Sequence, residues 1–208
     1  MKKLFFILMI AFLATSGCSP VARFVIGIHK PKEMDSNQLN KWSLTRKINN
    51  SPVFSLDTSY KSYIHSVYSD KIKIKNLNQP IMIMYFTNDS LSSLNNNCSF
   101  PGLPNLQWNK FGDFNQFPPT CHFPDSTYQK IKLSEINKYF FPTNHLASQF
   151  KFSTGDCLIV FSCKMLNRQS KHLISIILEK YSSNLSEIIF VNNDNYIFHY
   201  DKQFVLNN

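Results

Sequence analysis

Glycine is scarce in this 208-residue chain, five in all, and none falls in a Gly-rich phosphate loop. Nucleotide enzymes that cradle phosphates on backbone N–H groups of such a loop are therefore disfavoured. A G-x-S-x-G nucleophile elbow is missing too, which disfavours the serine hydrolases built on it. No apolar run reaches the about 20 residues of a transmembrane helix. The six histidines, His29, His65, His122, His145, His172 and His199, fall singly, and Asp194 and Asp201 make no close acidic pair. No metal site is expected from such spacing, and no cofactor is implied. Charged residues are only 17% of the chain, and the lysines are scattered among Asn, Ser and Tyr rather than gathered in a stripe. No nucleic-acid partner is expected on that pattern. Isolated side chains still assemble in space, so the missing motifs lower the expectation of an enzyme without closing it.

What is present is apolar and aromatic. Hydrophobic residues make up 43% and aromatics 14%, with 19 Phe, enough buried surface to offset chain entropy in a folded domain. The start has a different character. Lys2 and Lys3 precede an apolar run, Leu4 to Ala14 (LFFILMIAFLA), closed by Thr15, Ser16 and Gly17. A short positive segment, an apolar stretch of about 7–15 residues and small residues before a cut describe an export signal. Its loss removes two of the 22 basic side chains, leaving 20 against 13 acidic, or +7. That balance suits a solvated surface drawn weakly toward anionic lipid or envelope polymer.

The stretch LATSGC, Leu13 to Cys18, resembles the bacterial lipobox, in which a small residue precedes a cysteine that receives diacylglycerol. Thr15 departs from the usual Leu at its position. The resemblance implies a signal peptide over 1–17, lipidation of Cys18 and membrane lipid as a partner through the acylated cysteine. Several acyl chains on one cysteine anchor strongly, since each buried methylene contributes about 0.8 kcal/mol. Ser19, a residue other than Asp after the cysteine, implies forwarding to the outer membrane, facing the periplasm.

Beyond the anchor, 18–50 reads as a lipid-anchored tether, because Pro31 and the polar run HKPKEMDSNQLNKW argue against a core element. The remainder, 51–208, reads as one α/β domain. Asp57 is a plausible N-cap for a helix DTSYKSYIHSVYS carrying Tyr60, Tyr63, Ile64 and Val67 on one face. KIKIKNL alternates as a strand would, and after Pro80 the run IMIMYFT suits a buried strand. Residues 88–123 contain Pro101, Gly102, Pro104, Pro118 and Pro119 and read as a long irregular insertion whose aromatics pack on the domain, either as a cover or as a ligand-binding lid. Lys132 to Phe141 reads as a short helix with Ser134 near its start. Across 156–194, the strand DCLIVFSC, the helix NRQSKHLISIILEKYSS capped by Asn167, and the strand EIIFVNND form a βαβ unit with parallel strands.

That unit resembles the core of the thioredoxin-like fold, which implies a parallel or mixed sheet with flanking helices. The family's Cys-x-x-Cys is absent; Met165, Leu166, Asn167, Arg168, Gln169 and Ser170 occupy the loop and helix start. Disulfide exchange needs a nucleophilic thiolate and normally a resolving thiol. Cys163, near the strand end, is either a redox thiol or a buried small hydrophobe. Cys157 and Cys163 cannot bridge along one strand, since six residues at about 3.3 Å each separate them by on the order of 20 Å. Cys98 and Cys121 flank the Pro-rich segment, and a disulfide between them would stabilise the domain by about 3 kcal/mol. The helix start offers Arg168, Gln169 and Ser170, with Asn193 and Asp194 at the same carboxyl edge of the sheet, as a place for an anion. A plain helix cap accounts for the same residues.

Three functions follow as expectations. The leading one is a non-catalytic lipoprotein that binds or organises an envelope protein or polymer. The second is an envelope redox protein using Cys163 or the Cys98/Cys121 pair. The third is an anion carrier at Arg168–Ser170.

Overall fold

A computed structural model describes residues 28–96, 109, 112–116, 130–153, 155–181 and 187–199. Cys18, Cys98 and Cys121 lie outside them, as do the signal segment and most of the expected insertion. The elements in chain order are α1 (Ser36–Thr45), β1 (Val53–Leu56), α2 (Tyr60–Val67), α3 (Lys71–Leu77), β2 (Met82–Thr87) and β3 (Ser90–Asn96). Then come α4 (Leu133–Ile136), β4 (Phe140–Pro142), α5 (His145–Gln149), β5 (Cys157–Ser162), α6 (Asn167–Lys180) and β6 (Glu187–Asn192). The strands form one six-stranded sheet in the order β3-β2-β5-β6-β1-β4. β5, β6 and β1 run parallel in its centre, while β2, β3 and β4 pair antiparallel at its sides. The fold is thus mixed α/β with helices on both faces.

The central strand shows why the sheet is covered twice. All six residues of CLIVFS in β5 are buried. Cys157, Ile159 and Phe161 face one core with Tyr60, Ile64, Leu77, Leu133 and Ile136, while Leu158 and Val160 face another with Leu39, Trp42, Leu173 and Ile177. A strand buried on both faces reads as a continuous apolar run, and here it does. The expected β5-α6-β6 unit is present, with Leu158 opposite Ile188 and Val160 opposite Phe190. Leu173, Ile176 and Ile177 carry the buried stripe of α6. Leu166 rather than Asn167 takes the N-cap position, and Asn167 is the first helical residue.

Four local expectations are corrected. The tether assigned to 18–50 is part of the domain from the first described residues. Asp35 and Gln38 close a reciprocal capping box on α1, which buries Leu39 and Trp42 against α6 and the sheet. KIKIKNL is helix α3, because the Asp70 carboxylate accepts from Ile72 N at 2.7 Å and Lys73 N at 3.3 Å. Its apparent alternation is broken in three dimensions: Ile72 is 64% exposed and Leu77 fully buried. The irregular insertion assigned to 88–123 begins with strand β3, joined to β2 through Asn88 and Asp89, both at positive φ (49° and 67°). Asn and Asp tolerate that left-handed conformation best among residues other than glycine, which makes a tight hairpin here. Finally, Lys132–Phe141 is helical only over α4 and a following 3-10 turn, Asn137–Tyr139, after which Phe140–Pro142 joins the sheet beside β1. Phe140 packs there on Phe54 and Phe161, with ring centroids 6.1 and 6.0 Å apart.

The expected helix at DTSYKSYIHSVYS is α2, burying Tyr60 and Ile64. Asp57 stands just ahead of it, accepting from Ser59 N at 2.8 Å. Of the expected insertion, Phe114 is buried against the α6 face, where the Tyr181 hydroxyl donates to its carbonyl at 2.9 Å. Among the described residues no helix is long and apolar enough to cross a membrane.

Candidate functional site

The parallel strands deliver their carboxyl ends to one edge, and there the chain turns from β5 into α6 over Cys163 to Leu166. Each residue of that turn is held. The Ser170 hydroxyl, one turn into α6, accepts from Cys163 N at 3.0 Å and donates to Cys163 O at 2.6 Å. Leu166 N donates to the Cys163 sulfur at 3.4 Å. From β6, the Asp194 carboxylate accepts from Lys164 N at 2.6 Å and Met165 N at 3.1 Å. Asn192 braces the acid in turn, its amide donating to Asp194 at 2.9 Å and its carbonyl oxygen accepting from Asp194 N at 3.0 Å. Asp194 is 1% exposed. Burial raises its pKa above the usual carboxylate value, opposed by these donors and by the Lys164 charge.

The residues expected at this edge divide. Cys163, Ser170 and Asp194 come together as one hydrogen-bonded knot, which Asn192, not among the expected residues, completes. Asn193 is adjacent, but its amide donates to Pro80 O at 3.1 Å and so ties the start of β2 to this edge. Gln169 is buried and Arg168 exposed. The proposed anion contact from Ser170 is corrected: its hydroxyl is spent on both backbone groups of Cys163. Neither Cys157, which opens β5, nor Cys163, just after it, is poised for chemistry. Cys157 and Cys163 are free and fully buried. Burial pushes the Cys157 thiol up to about 12, helped by Glu187. The Cys163 thiol is pushed well above its ordinary range by burial and by the Asp194 charge. A thiol so held is neutral and inert as a nucleophile.

A cation lies close by. Arg46, the C-cap of α1, donates to the Asn167 carbonyl at 3.3 Å and also to the Asn167 side chain. Burial lowers its pKa, and the nearby Asp194 charge opposes that shift. Among the described residues no group of three or more His, Cys, Asp or Glu side chains is arranged to hold a metal ion.

Immediately outside the knot is a cleft of about 190 Å³, lined by His29, Lys30, Lys32, Met34, Lys164, Met165 and Asp194. Its outer wall is the segment read from sequence as tether. His29 N donates to Met165 O at 2.8 Å, Met34 N to the Asn195 side chain at 2.6 Å, and the Asn195 amide returns a bond to Met34 O at 3.0 Å. Glu33 contacts His199 at 3.4 Å, which secures the same wall to the helical residues 194–199. Three lysines thus share a cleft with one carboxylate whose oxygens already serve three N–H donors. Sequence reasoning missed His29, Lys30, Lys32 and Lys164. The only signal was the basic pair in HKPK, 132 positions before Lys164 as counted from Lys32. No family model matches this chain, and neither curated proteins nor solved structures give a match, so the class rests on architecture: a mixed α/β-sheet protein with a basic cleft at its carboxyl edge.

Proposed function

We propose that the protein is a lipid-anchored lipoprotein of the cell envelope whose thioredoxin-like domain binds rather than catalyses. The observation that carries the non-catalytic part is the burial of both described thiols, with Cys163 next to an acid already committed to Lys164, Met165 and Asn192. The parallel β5-α6-β6 unit beside the antiparallel β2–β3 hairpin supports the thioredoxin-like assignment. What would be the redox loop is a structural knot. LATSGC supports the anchor, placing Cys18 as the acylated residue and the membrane as the first partner. The basic cleft supports binding of an anionic component of the envelope. The test is fatty-acid labelling with membrane fractionation of wild type and Cys18→Ala: the variant is expected to lose label and leave the membrane fraction. Undiminished labelling in Cys18→Ala overturns the anchor. Turnover of insulin or peroxide by the purified wild type overturns the non-catalytic assignment.

A further inference from the structure

We propose that the cleft between residues 29–34 and the β5–α6 turn takes the phosphate of an anionic phospholipid headgroup in the membrane that carries the anchor. The inference rests on acylation of Cys18 and adds a second, electrostatic contact to it. Its chemistry is that of Lys30, Lys32 and Lys164, three lysines in the lining of one cleft. Lysine binds phosphate as a compact point charge without demanding a fixed fork geometry, which suits a mobile headgroup. Asp194 lies in the same lining, 1% exposed, and offsets only one of the three charges, so the cleft stays net basic. Met34 and Met165 complete the lining with apolar surface, on which a glycerol backbone can rest.

Size and position choose the occupant. Drug-sized ligands fill pockets of about 300–1,000 Å³; at about 190 Å³ this cleft holds a phosphate and little more. His29 stands eleven positions after Cys18. A fully extended chain of that length spans at most ~40 Å, so an acylated Cys18 keeps the cleft near the headgroup plane. The bond from His29 N to Met165 O fixes the end of the connecting chain to the cleft itself. Lysines near an anionic surface each contribute about a fivefold factor in affinity.

The experiment uses the mature, acylated protein reconstituted in vesicles of phosphatidylcholine alone or of phosphatidylcholine with phosphatidylglycerol. Amine modification is followed residue by residue by mass spectrometry, with exposed Lys138 and Lys151 as references. Lys30, Lys32 and Lys164 are expected to be protected about fivefold or more by phosphatidylglycerol, with the references unchanged. Lys164→Gln should cut the protection of Lys30 and Lys32 about fivefold. Equal protection by inorganic phosphate in phosphatidylcholine vesicles overturns the lipid assignment in favour of a soluble anion. Absence of protection overturns the proposal altogether. The mass of the Cys18 peptide in the same digest separates this from failure of the anchor: a protected cleft with unmodified Cys18 would overturn acylation alone.

Discussion

Ser170→Ala is the sharpest test of whether the start of α6 is a ligand site or a brace. The Ser170 hydroxyl is fully buried and bridges Cys163 N and Cys163 O at 3.0 and 2.6 Å. Alanine removes that bridge and strands a backbone donor and an acceptor inside the core. Leaving a buried polar group unsatisfied costs about 1–3 kcal/mol, and alanine's better helix propensity returns a few tenths. The expected loss is about 2–4 kcal/mol, which for a domain of this size lowers Tm by roughly 5–15 °C. Urea and thermal denaturation of the purified mature protein measure it directly. Arg168→Ala, two residues earlier on the exposed side of the same helical turn, is the internal control, expected within about 0.5 kcal/mol of wild type. A Ser170→Ala loss below about 1 kcal/mol would refute the brace. An unchanged stability accompanied by lost phosphate binding would restore the helix start as an anion site.

Three further predictions bear on the same architecture. Asp194→Asn puts an amide where three N–H donors converge, so it should destabilise the fold by about 1–3 kcal/mol near neutral pH, read by urea midpoint; an unchanged midpoint would mean the acid is not holding the turn. Because burial raises the Asp194 pKa in the folded state, wild-type stability should fall as pH rises from the unfolded to the folded value and level off above it, a slope that Asp194→Asn lacks; the difference of about 1–3 kcal/mol is read on that plateau. Asp70→Ala should cost about 1 kcal/mol through loss of the α3 cap, measured by denaturation, and no change would show that packing alone holds that helix. Cys157, raised from 9.0 to about 12 by burial, keeps its proton when the unfolded thiol ionises, so stability should fall by up to about 1.4 kcal/mol per pH unit above pH 9. Cys157→Ala should flatten that slope by one proton; parallel slopes would refute the assignment.

The elements most legible in the sequence were those whose local pattern and tertiary burial agree. CLIVFS and MIMYFT are continuous apolar runs, and both lie in the sheet interior. NRQSKHLISIILEK carries its apolar residues at helical spacing, and that stripe faces the core. Where local signals competed, the cap or the turn decided. KIKIKNL alternates over its first five letters, yet Asp70 supplies two hydrogen bonds that start a helix, and the exposed Ile72 costs little on a surface. HKPKEMDSNQLNKW looked too polar for a core, because only Met34, Leu39 and Trp42 are buried from it. Three apolar contacts at the right spacing behind a capping box suffice for a short helix on a sheet. β4 was hidden for a different reason: three residues paired to β1 carry no period at all.

The site was legible by place but not by composition. A parallel βαβ unit brings loop ends to one carboxyl edge whatever the sequence, so Cys163, Ser170 and Asp194 share that edge by topology alone. Their roles depended on what no pattern records: how many donors each oxygen meets. Asp194, Asn192 and Ser170 have all turned inward to satisfy the turn, so none of the three is free to react. The charge for binding is supplied instead by Lys164, which leaves the knot through its side chain while its N–H stays tied to Asp194, and by Lys30 and Lys32 from a segment far away in the chain. The buried acid is therefore what makes the basic opening possible. By fixing the backbone of Lys164 and Met165 it presents an outer surface to residues 29–34, and its single charge leaves the three lysines in excess. Substituting Asp194 should then weaken cleft occupancy through loss of geometry, not gain it through loss of a negative charge, which is the opposite of what simple electrostatics at an exposed carboxylate would give.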